Sequence, residues 1–267
     1  MTVANFYLRR YFAKFENMNK LFVVGLVGMV LLTSVSCKED PPAPEPEPVD
    51  TVRIDLQPVF NGADLYLDST YTTVEGHNVQ FTDIKFYLED VKNGAVQLTD
   101  AMLFDYGARG SLLYDGNGTA ANFGSLTANL GVGSANNNSD PSAFPNDSWL
   151  NISNSNDMHW GWNPGYIFVK VEARVDTIQD GNDLFDQFVV LHAGLNENLE
   201  TVSFSNLNWS SVGSNRHLLS MELDMSEFLQ STVNTIDLQF ENSTHSAPGQ
   251  ETLTTKVMEN FKEALTP

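Results

Sequence analysis

The chain has 267 residues, a formal charge of −20, 42% hydrophobic residues and one cysteine. An acidic balance of that size excludes a nucleic-acid binder, which presents a basic face to phosphates. A single cysteine excludes an intrachain disulfide and Cys-rich zinc or iron–sulfur sites.

The amino terminus reads as an address. Leu21 to Leu32 is an apolar run of twelve, short of the roughly 20 residues that span a bilayer. Asn19-Lys20 precedes it and Thr-Ser-Val-Ser-Cys follows at 33–37, the layout of a secretory signal. Cys37 after Ser34-Val35-Ser36 resembles a bacterial lipoprotein signal, in which that cysteine becomes the lipidated first mature residue. Met18-Asn19-Lys20 would itself open a compact signal, so residues 1–17 read as a misannotated extension or a long n-region. Removing residues 1–36 takes away four basic residues and one acid, which moves the charge from −20 to −23. Lys38-Glu39-Asp40 resembles the sorting signal that sends some Gram-negative lipoproteins to the outer face of the outer membrane. PPAPEPEP at 41–48 favours extended polyproline II and suits a spacer. The expected organisation is a signal peptide at 1–36, a lipidated Cys and tether at 37–50, and a head at 51–267.

From Thr51 onward the dominant period is two. Val52, Ile54, Leu56 and Phe60 alternate with Arg53, Asp55 and Gln57, and Pro58 suggests an edge or bulge. Val79 and Phe81 alternate, then Ile84, Phe86 and Leu88 continue in the opposite phase, which predicts a bulge at Thr82-Asp83. Strands are also predicted over 166–175 and 185–192, at Leu219–Met225 and at Ile236, Leu238 and Phe240. Turn signals at Asn61-Gly62, Asn93-Gly94, Asp115-Gly116 and Asp180-Gly181 separate them. Residues 115–157 are rich in Gly, Asn, Ser and Ala, and 136–148 reads as a long surface loop. Leu253, Val257, Phe261 and Leu265 fall at helical spacing. The fold class is an all-β antiparallel sandwich of Greek-key type with long loops and a carboxy-terminal helix.

No G-x-S-x-G, H-E-x-x-H, H-x-H or C-x-x-C motif occurs, and no nucleophile–base pair is readable. The head is therefore expected not to be an enzyme. Asp180-Gly181-Asn182-Asp183 lacks the spacing of a Ca²⁺ loop and reads as an ordinary turn. The unusual segment is Met158-His159-Trp160-Gly161-Trp162-Asn163-Pro164-Gly165-Tyr166. It places two tryptophans, a histidine and a methionine within five residues, just before a strong strand.

M-x-W-x-W-N-x-G-Y followed by I-F-V-K-V-E resembles the signature of the MbnP-like copper-binding family, secreted or lipid-anchored β-rich domains. Residues 59–91, FVVLHAG at 188–194, HLLSMELDMSEFL at 217–229 and the segment from His245 into the last helix resemble its other blocks in order. The resemblance covers roughly 52–265. Glu89-Asp90 stands where the family usually has Ser-Asn, and Ala173 where it commonly has Gly. The resemblance implies copper binding and, in some members, oxidation of a tryptophan to kynurenine by a dihaem partner of the peroxidase type. Imidazole suits copper and a thioether suits Cu(I). The metal candidates are His192 on a strand face, His77 in a turn taken to belong to the other sheet, His159 and Met158. Trp160 and Trp162 are the candidates for oxidation. His217 and His245 are expected at the surface. The implied role is acquisition, storage or handover of copper by an outer-membrane lipoprotein. The alternative is a surface module for glycan or protein, with Trp160 and Trp162 stacking on sugars.

Overall fold

The computed structural model describes residues 48–267 apart from 162–164, 179 and 183. The signal segment, Cys37, the tether up to Glu47 and Trp162 lie outside the described residues. The described residues from Pro48 onward form one unit. The chain runs through β1 (Thr51–Phe60), β2 (Ala63–Asp64), β3 (Tyr71–Thr72), β4 (Asn78–Asn93), β5 (Val96–Asp105), α1 (Tyr106–Arg109) and β6 (Leu112–Asn117). It continues with β7 (Ser125–Leu130), α2 (Ser134–Asn137), β8 (Ile167–Asp176), β9 (Gln187–Gly194), β10 (Glu200–Ser205) and β11 (Ser210–Ser211). Then come β12 (Arg216–Asp224), α3 (Met225–Leu229), β13 (Ser243–Thr244), α4 (Glu251–Ala264) and β14 (Leu265–Thr266).

Two sheets form the sandwich. In the first, β1 is central and lies parallel to β12. Its other side pairs with β6 up to Asp55 and with β2 from Val59. Pro58 sits in the gap between them, and its carbonyl accepts from Leu65 N at 2.9 Å on that same side. The missing N–H of Pro58 therefore costs no ladder bond. The parallel β1–β12 pair departs from the predicted antiparallel pattern.

The second sheet runs β10-β7-β4-β8-β9-β13. β4 is 16 residues long. It takes β3 and then β5 on one edge, and β8 and then β7 on the other. The register with β8 slips between Phe81 and Asp83, so the bulge read in the sequence is present. One extra residue keeps Val79, Phe81, Ile84, Phe86 and Leu88 all buried. It also sets Asp83, Lys85, Tyr87 and Glu89 along the outer face.

α4 closes the core. Val257, Met258 and Phe261 are buried, and the Phe261 ring lies 5.1 Å from Phe86 and 5.6 Å from Phe228. Two expectations fail here. Ile236, Leu238 and Phe240 do not form a strand: Asp237 takes Gln239 N on its side chain and Phe240 N and Glu241 N on its carbonyl. That turn buries Ile236 and Leu238 and leaves Phe240 77% exposed. Within 115–157, β7 is a full strand between β4 and β10. Its small, polar residues hid it from the hydrophobic pattern.

Candidate metal site

The outer face of the second sheet carries the chemistry. On β9, Val189 and Leu191 point into the core, so Phe188, Val190 and His192 point out. Lys170 on β8 stands opposite His192. Glu172 is two residues along on the same face, and its Oε1 lies 2.9 Å from His192 Nε2. Lys170 Nζ sits between Asp83 at 2.9 Å and Glu172 at 3.3 Å. Lys85 continues the row, 3.3 Å from Asp83 and 3.5 Å from Asp105. The result is an alternating line of charge across β4, β8 and β9.

Burial pushes the His192 imidazole below its ordinary pKa, and the Glu172 contact only partly opposes it. The neutral ring is thereby favoured. Burial raises Glu172, but the Lys170 charge and the bonds from Lys170 and His192 outweigh it, so the carboxyl is held below its ordinary value.

His245 meets His192 from outside the strand. Their ring centroids are 5.0 Å apart at 79°. Two contacts hold the His245 segment there. The Gln250 carboxamide, just ahead of α4, accepts from His245 N at 2.8 Å and Ala247 N at 3.1 Å. Ser246 Oγ accepts from Gly194 N at 3.0 Å and reaches the His192 carbonyl at 3.4 Å. The helix start and the end of β9 thus fix the second imidazole.

The aromatic segment folds back on itself beside them. Trp160 N donates to Gly165 O at 3.1 Å, and Ile167 N to Met158 O at 2.9 Å. Gly165 has φ of +125°, which a side chain resists, and Asn137 crowds it while accepting from Tyr166 N at 2.7 Å. The Trp160 ring packs against Gly194: a Cβ there would fall 2.5 Å from Trp160 Cη2. Trp160 is only 5% exposed, so it offers no open face for a sugar. Gly194, on which it packs, is two residues beyond His192 on β9.

A covering segment over 133–157 shields this face. Buried Glu89 anchors it by accepting from Asn129 Nδ2, Gly133 N and Asn136 Nδ2 at 3.0, 2.7 and 2.6 Å. Tyr87 OH donates to Trp149 O at 3.0 Å, and Tyr166 OH donates to Leu150 O. The departure at Glu89 therefore has a structural use.

The family model described as MbnP matches residues 49–248. The chain belongs to the MbnP family. Among solved structures, MbnP from Methylosinus trichosporium is similar at 15% identity, covering 68% of this chain and 78% of that one, with a TM-score of 0.43. Comparison with curated proteins gives no match. The MbnP match ends at Pro248, just before α4.

The predicted residues of this MbnP-family chain are not all brought together. His77 belongs to the second sheet, not to the opposite one as expected, and it lies near the far end. Its neighbour Asn78 pairs with Asp176, whereas His192 is level with Lys170 and Lys85. At 3.3 Å per residue that is roughly 20 Å of strand, too far for one ion. His77 is buried, and its Nδ1 has no hydrogen-bond partner among the described residues. Met158 is fully buried in the core. His159 is half-buried with its ring 5.0 Å from Tyr166, and burial lowers its pKa. His217 is half-buried on β12 in the first sheet. His245, expected at the surface, is instead the residue that joins His192. Among the described residues no group of three or more His, Cys, Asp or Glu is placed to hold a metal ion. The donors brought together are two imidazoles.

Proposed function

We propose that the protein is an extracytoplasmic lipoprotein that binds copper at His192 and His245, for acquisition, storage or handover without turnover. The observation that carries this reading is the edge-to-face pair of imidazoles 5.0 Å apart, one kept neutral by burial. Neutral imidazole is a good copper ligand, and the carboxylate beside the pair, Glu172, is engaged by Lys170 and by His192 Nε2. Membership of the MbnP family supports the same metal. Cys37 would supply the lipid anchor in the outer membrane. Among the described residues no helix is long and apolar enough to cross a membrane.

Oxidation of Trp160 or Trp162 by a dihaem peroxidase-type partner would add an aniline nitrogen to the donor set. Trp160 packs on Gly194, two residues beyond His192 on β9, which supports it as the candidate for that oxidation. His77, His159 and Met158 are then packing residues of the fold, not ligands of this ion.

The test is competition for Cu(I) against a chelator of known affinity. One equivalent should bind to the protein. His192→Ala and His245→Ala should each weaken it by at least tenfold, and His77→Ala should leave it unchanged. Equal binding by all three variants would move the site elsewhere.

A further inference from the structure

We infer that Glu172 is a positioning residue for this site: its carboxylate holds the His192 proton on Nε2 and leaves Nδ1 as the lone-pair nitrogen for a metal. The inference rests on the copper reading above and deepens it.

An ionised carboxylate accepts hydrogen bonds and donates none. Lys170, 3.3 Å from Glu172 Oε1 and itself backed by Asp83 at 2.9 Å, favours the ionised form. His192 Nε2 lies 2.9 Å from that same oxygen, so Nε2 is the nitrogen that must carry hydrogen. A neutral imidazole has only one N–H. Nδ1 is then an acceptor, the state a metal ligand requires. Histidine ligands generally donate their other N–H to a carboxylate or carbonyl, which fixes tautomer and ring angle. The Asp83–Lys170–Glu172–His192 row supplies such a support from two neighbouring strands.

The geometry also separates the roles of two acids on one face. Glu172 is 33% exposed at its side chain and touches the imidazole; Asp83 is 16% exposed and, among the described residues, forms its ion pairs with Lys85 and Lys170. Loss of Asp83 should act weakly, through Lys170. Loss of Glu172 should act directly on the ring.

Long-range ¹⁵N–¹H NMR of the metal-free protein at pH 7.5 reads the tautomer without copper. The expected result is a single Nε2–H form at His192 in the wild type and a mixture in Glu172→Gln. Cu(I) affinity should fall 10–100-fold in Glu172→Gln and less in Asp83→Asn. An Nδ1–H tautomer in the wild type would overturn the inference whether or not the variant folds. So would an unchanged tautomer, or unchanged Cu(I) affinity, in a folded Glu172→Gln protein. If the wild type binds no copper, the copper reading fails and the metal role of Glu172 with it. A wrong tautomer with copper binding intact overturns the positioning role alone.

Discussion

Gly194→Ala tests the packing that brings Trp160 to the histidine pair. A Cβ at that position would meet Trp160 Cη2 at 2.5 Å and Cζ3 at 2.8 Å, and the Tyr166 carbonyl oxygen at 2.7 Å. Carbon atoms in good contact stand about 3.5–4.0 Å apart, so the indole must withdraw by about 1 Å. The Tyr166 carbonyl belongs to the backbone entering β8 and has less room to yield. Overpacking of this kind costs about 1–3 kcal/mol, and obstacles on two sides place it near the upper end. Reduced freedom of the unfolded chain returns about 0.4–1 kcal/mol. The net expectation is a loss of about 2 kcal/mol in urea unfolding, with the m-value unchanged. In a Trp160→Ala background the alanine penalty should shrink by about 1 kcal/mol, the part due to the ring. A loss below about 0.5 kcal/mol, or an equal penalty in both backgrounds, would refute the argument that Trp160 rests on Gly194.

Glu89→Ala removes the acceptor of three hydrogen bonds. It should cost roughly 3 kcal/mol and make the segment 133–157 sensitive to limited proteolysis; an unchanged digestion pattern would count against its role as anchor. Phe261→Ala opens a hole between Phe86 and Phe228 and should cost about 3–5 kcal/mol, read from the denaturation midpoint. Because burial lowers the pKa of both His192 and His159, the unfolded chain binds these protons more readily. Stability is then full above the ordinary histidine value near 6.5 and declines as pH falls through the lowered values. Unfolding at pH 7.5, 6 and 5 should show that decline, and His192→Gln should flatten it. The lowered Glu172 carboxyl adds a separate loss only below its ordinary value of 4.5.

Much of the fold was legible because it is written in local alternation. Val52, Ile54 and Leu56 announce β1, and the phase change at Thr82-Asp83 announces a bulge that the register with β8 reproduces. Leu253, Val257 and Phe261 announce α4. β7 escaped because its six residues, although Leu126 and Leu130 alternate with Ser125, Thr127 and Asn129, lie inside a stretch whose Gly, Asn and Ser content reads as loop. Ile236 and Leu238 misled because burial in a turn has the same spacing as a short strand. The site was legible in part. His192 stood out on its strand, but its partner depended on β13 joining β9 and on the Gln250 carboxamide gathering the His245 loop, which no local pattern encodes. His77 looked equivalent until the register set it at the other end of the sheet. Glu172 did leave a trace: Lys170 and Glu172 alternate on β8 as Val190 and His192 do on β9, which puts all four on one face.

In the proposed site His192 and His245 share one copper ion. An anomalous difference map at the copper edge, from crystals of the Cu(I)-loaded protein, tests it most directly. A single strong peak between the two imidazoles, absent from His245→Ala crystals, is the predicted result. A copper peak at His77 or His159, or a peak that survives the loss of His245, would contradict it.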